Sequence, residues 1–144
     1  MIKLKYISFL CIVVLPLLLT SCNKQLDEAY FLTHPEKIKK TVLSCEKMEF
    51  NQVRQDKCCI AAVKANRVII SLSDEMFDNP QKFGSKILKN QEVLEKLNAR
   101  IVKLKKKTQP KEHKTLINLE KQYYDLNAKI KIMIRLVAEA EGMR

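Results

Sequence analysis

Tryptophan is absent from the 144 residues, glycine occurs twice, proline four times, and aromatic residues make up 6%. So little turn chemistry and so few aromatics argue against a many-stranded sheet protein and for an all-α chain. Histidine occurs only at His34 and His113, neither in a recognisable catalytic setting. The chain has no Gly-x-Ser-x-Gly, no His-Glu-x-x-His, no glycine-rich phosphate loop and no Cys-x-x-Cys. These absences remove the common hydrolase, metalloprotease, nucleotide-binding and dithiol-redox signatures, so neither an enzyme activity nor a cofactor is expected. Glu92 and Glu95 share one helical face, but so do most charged pairs on an exposed helix. His34, before Pro35, reads as a turn residue rather than a base.

What is present begins at the N-terminus. Lys3 and Lys5 precede a run over residues 7–19 that is apolar apart from Ser8. The run is shorter than the ~20 residues a bilayer span needs and fits the apolar core of a signal peptide. It closes on Leu19-Thr20-Ser21-Cys22, which resembles the bacterial lipobox. A peptidase needs small side chains before its cut, and a thiolate is the nucleophile able to take a diacylglyceryl group. An ordinary signal peptide with an incidental cysteine and a membrane-spanning anchor are the competing readings; Asn23, Lys24 and Gln25 stop the apolar run at once. The expectation is that residues 1–21 leave as a lipoprotein signal peptide and that Cys22 is the lipidation site. Palmitate-type chains there would hold the protein on a bilayer at about 0.8 kcal/mol per buried methylene. The protein part would lie in the periplasm of a bacterial cell envelope, on either the inner or the outer membrane.

Charge divides the remainder. Residues 22–79 carry nine Lys/Arg and nine Asp/Glu, whereas residues 80–144 carry 16 against seven, a net of +9. We place a boundary at Pro80, with a linker punctuated by Asn79-Pro80 and Gly84-Ser85, giving a small N-terminal module over 22–79 and a basic helical part over 80–144.

In the first module, His34-Pro35-Glu36 opens a helix, with Pro35 suited to a first helical position and Glu36 to the helix dipole. Ile38, Val42 and Cys45 follow on one face, and Tyr30 and Phe31 are placed to fold back on it. Residues 46–57 read as a polar loop. Residues 58–72 read as a second, largely buried helix, with a strand through Val68-Ile69-Ile70 as the alternative. Cys45 then ends one helix while Cys58 or Cys59 starts the next. A bond from Cys45 to Cys59 closes a 15-residue ring, which loop-closure entropy values at about 3 kcal/mol. A module this small needs such a staple, and the periplasm permits it. Cys45, Cys58, Cys59 and His34 could instead be read as a metal site, but adjacent cysteines seldom point at one ion and the spacing fits no zinc pattern; no metal is expected.

The residues Tyr30-Phe31-Leu32-Thr33-His34-Pro35-Glu36, then Cys45, then Cys59-Ile60-Ala61-Ala62 resemble the EexN-type entry-exclusion lipoproteins. That family pairs a lipobox with an aromatic-Leu-x-(His/Asn)-Pro-Glu segment, a cysteine about ten residues later, and a second cysteine opening a Cys-x-Asn-Ala motif. Here Ala61 replaces the Asn, and Cys58 is extra. The resemblance spans roughly residues 22–65. It implies a lipoprotein of the recipient envelope that blocks redundant DNA transfer through a conjugative channel of the type IV secretion class, with a channel protein as partner.

Beyond the boundary, Ile87, Leu94 and Ile101 recur every seven residues, with Asn90, Leu97 and Leu104 between them. Thr108-Gln109-Pro110 breaks this seam. A second follows, with Leu116, Tyr123, Ile130 and Val137 alternating with Leu119, Leu126, Met133 and Ala140, before Gly142. The pattern predicts an antiparallel helical hairpin, coiled-coil-like. Ile117, Tyr124, Ile132, Ile134 and Leu136 widen the second stripe, and the excess is expected to pack within the chain, on the first module, with another subunit as the alternative. The tip gathers Lys103, Lys105, Lys106, Lys107, Lys111 and Lys114 with His113. It is either a solvated tip or a contact for anionic lipid headgroups; without a base-reading motif, nucleic acid is the least favoured partner. A structural envelope or secretion-apparatus lipoprotein, using the hairpin to oligomerise or to space, is the alternative function.

Overall fold

The computed structural model describes residues 26–106 and 110–142, with the side chains of 110–112 left aside. Cys22, Lys107 and Lys111 therefore lie outside the described side chains. Among the described residues six helices follow one another: α1 (Glu28–Thr33), α2 (Glu36–Cys45), α3 (Phe50–Val53), α4 (Lys57–Asp78), α5 (Pro80–Lys105) and α6 (Pro110–Gly142). The described residues contain no strand, and the all-α expectation holds.

The starts of α1, α2 and α4 have local causes. The Asp27 carboxylate accepts the Tyr30 N–H at 2.9 Å and opens α1. Asp56 does the same for Cys59 at the start of α4, at 2.7 Å. Between α1 and α2 the chain turns at His34 (φ −131°, ψ 60°), because a residue before proline is pushed out of helical geometry. Pro35 already has helical dihedrals and leads into α2. The polar stretch over 46–57 is not wholly a loop: it contains the single turn of α3, and Lys57 already belongs to α4. Val68, Ile69 and Ile70 are helical, so the strand alternative is excluded, and α4 runs six residues past Leu72.

The expected linker is corrected. Only Asn79 separates α4 from α5. Its side chain accepts the Lys82 N–H at 3.0 Å, and Pro80 occupies the first helical position, where it needs no donor. Gly84 and Ser85 are helical, the Ser85 hydroxyl donating to the Gln81 carbonyl at 3.0 Å. Phe83, fully buried, fixes this first turn against the core.

Two clusters form the interior. The larger joins Ala29, Phe31 and Leu32 of α1, Ile38 of α2, Ala61, Ala62, Ala65, Leu72 and Met76 of α4, Phe83 of α5, and Ala128, Ile132 and Met133 of α6. Residues on both sides of Asn79 thus share one core. The smaller, toward the hairpin tip, is Leu97, Ile101 and Leu119, flanked by Leu104, Leu116, Tyr123 and Leu126. The hairpin is antiparallel, as the Asn90–Met133 contact (3.7 Å) and the Lys105–Glu120 ion pair (2.8 Å) require. Asn90 is half-buried ten residues into α5. Ala128 and Ile132 lie off the seam of α6 and join the core that α1 and α4 share; Ile117, Tyr124 and Ile134 remain exposed.

Candidate functional site

The stapled head is built around one bond. Cys45, the last residue of α2, and Cys59, in the first turn of α4, form a disulfide with their Cα atoms 5.9 Å apart. Both are buried, and the Met48 sulfur lies 3.7 Å from the Cys59 sulfur. The pairing leaves Cys58 free and half-buried. Burial, and secondarily the Asp56 carboxylate, push its thiol above the ordinary value of 9.0, so it is a poor nucleophile at neutral pH. Among the described residues no group of His, Cys, Asp or Glu is arranged to hold a metal ion.

The Tyr30-to-Glu36 segment folds as a corner between two helices. Phe31 and Leu32 point into the core, while Tyr30 stacks on the His34 ring at 4.4 Å between centroids. The Thr33 hydroxyl donates back to the Tyr30 carbonyl at 2.9 Å, and His34 Nδ1 lies 3.0 Å from the same oxygen. The aromatic, Thr, His and Pro of the segment are therefore spent on ending α1 and launching α2. Ala61, Ala62 and Ala65 are buried on α4, where small side chains let α1 and α2 approach closely.

The structure separates the cations of the hairpin tip. Lys103, Lys106 and Lys114 are exposed, as is His113. Lys105 is paired with Glu120 at 2.8 Å and is the least available of the described four. The staple and the tip lie at different places in the fold and do not form one site.

A groove of about 510 Å³ opens where α1, α4, α5 and α6 meet, between the two core clusters. Leu32, Val68, Val93, Leu97 and Leu126 supply apolar lining; Asp27, Glu28, Asp125, Lys121 and Lys129 supply charge. Asp125 pairs with Lys121 at 3.2 Å. Tyr124, next to Asp125 in the chain, has its hydroxyl pushed up by partial desolvation and then by the Asp27 and Asp125 carboxylates. Sequence reading missed this groove because it missed α1; the available signal was Asp27 followed by Glu28, an N-cap with a first-turn acid. No family model matches the chain, and no curated protein or solved structure does.

Proposed function

We propose that the protein is a bacterial lipoprotein, held on a membrane through acylated Cys22, that acts by protein contact in conjugative entry exclusion. The periplasmic head would meet a protein of the mating channel and prevent a second DNA transfer into the same cell. The observation that carries this reading is that the resembling residues belong to one unit. Tyr30 to Glu36 makes the α1–α2 corner, Cys45 ends α2, and Cys59 bonds it at the start of the helix bearing Ala61 and Ala62. A short motif scattered over three helices but gathered by one staple supports the reading as a shared scaffold for the head, not as a contact surface. No described helix is long and apolar enough to cross a membrane.

The test is transfer frequency. Recipients expressing the chain should take up the cognate plasmid less often than recipients without it, and Cys22→Ser should abolish the difference by mislocalising the protein. Equal uptake with and without the wild-type chain would refute the role. The second reading, a structural envelope or secretion-apparatus lipoprotein, draws support from Leu88 and Ile117, 68% and 54% exposed on the hairpin. A stable trimer in sedimentation would favour it.

A further inference from the structure

We propose that the flank of the hairpin carrying Arg100, Lys103 and Lys114 lies against anionic lipid headgroups of the membrane that holds the chain. The inference rests on the anchoring reading above and assigns these cations a role that the exclusion reading does not use.

The groove defines the flank. Asp27 and Glu28 of α1 line it together with Val93 of α5 and Lys121 of α6. A helix returns to nearly the same side every seven residues. Arg100 stands seven residues after Val93, and Lys114 seven before Lys121. Because the helices are antiparallel, both steps run toward the tip. Arg100 and Lys114 therefore extend the flank that α1 occupies, about 10 Å beyond the groove. Lys103, three residues after Arg100, sits one turn further. All three are exposed, and none is in an ion pair among the described residues.

Between Glu95 and Glu112 the chain carries no acidic residue, so the stretch of α5 holding Arg100 and Lys103 is purely cationic. The groove end of the flank does carry Asp27, Glu28 and Asp125, of which Asp125 pairs with Lys121; the three cations lie beyond them, toward the tip. The described chain begins on the same side. The chain joins α1 through Leu26 and Asp27, and Cys22 is four residues earlier, so extended backbone limits its distance from Leu26 to about 14 Å. On the anchoring reading, a chain that enters α1 beside three cations brings basic side chains within a Debye length of headgroups.

The experiment uses the full chain purified from membranes and reconstituted into vesicles of phosphatidylcholine, with or without phosphatidylglycerol. Lysines are acylated with a membrane-impermeant amine reagent and read by mass spectrometry. Lys103 and Lys114 should label about five-fold more slowly when phosphatidylglycerol is present, with the difference erased near 0.5 M salt. Lys40, exposed on α2, should label equally in both. Arg100→Glu should restore fast labelling of Lys103 and Lys114. Equal labelling in both lipids overturns the proposal and leaves these cations to an acidic protein partner. The N-terminal peptide of the same sample reports acylation separately. An unacylated chain with protected lysines sinks the anchor and keeps the surface; an acylated chain with unprotected lysines does the reverse.

Discussion

Sulfur chemistry sets the stability of the head residue by residue. The Cys45–Cys59 bond closes a short ring around α3, and its loss removes a constraint on the unfolded chain. Cys45→Ser paired with Cys59→Ser should cost about 3 kcal/mol, read by urea denaturation, and dithiothreitol should reproduce the loss in the wild type but leave the double variant unchanged. Cys58 follows a different rule. Its thiol is raised by burial and by Asp56, so the unfolded chain ionises first as pH rises. The folded state should therefore lose stability from about pH 9 upward, and not below it. Cys58→Ser should flatten that alkaline decline in a pH series of denaturation midpoints. The sequence left Cys58 and Cys59 as alternative partners, because adjacent helical positions point about 100° apart and only the orientation of α4 decides between them.

Helix α5 is the element that departs most from its pattern. Asn79-Pro80 and Gly84-Ser85 have the composition of a linker, yet they start a helix of 26 residues. The reason is tertiary: burying Phe83 outweighs the roughly 1 kcal/mol that a mid-helix glycine costs. A β-carbon added at Gly84 would meet nothing within 4 Å. Gly84→Ala should accordingly raise stability by about 1 kcal/mol, measured by thermal unfolding; an unchanged or lowered midpoint would mean that the segment is not helical in solution. The seams of α5 and α6 were legible because Leu97, Ile101, Leu119, Ile130 and Met133 keep heptad spacing and are buried. Helix α1 was not, since six residues are too few to display a period.

At the scale of the whole molecule, α6 is the shared wall. Its seam faces α5, while Ala128 and Ile132 meet the core that also holds Phe31 of α1 and Ala62 of α4. Head and hairpin should consequently unfold in one transition, with circular dichroism and Tyr fluorescence giving coincident curves. Ile132→Ala should lower that single midpoint by about 2–4 kcal/mol instead of splitting it. The heptad pattern predicted the hairpin, and the apolar excess on its second helix pointed to packing on the head, which Ile132 and Leu136 do; Ala128 was not legible, because a lone alanine outside the seam carries no signal. The account of function hangs on position 22 and its attachment to a bilayer. Mass spectrometry of the N-terminal peptide of the native protein tests this most directly. The account predicts a peptide beginning at Cys22 with a diacylglyceryl thioether on its sulfur; a retained leader, or a processed end with an unmodified thiol, would contradict it.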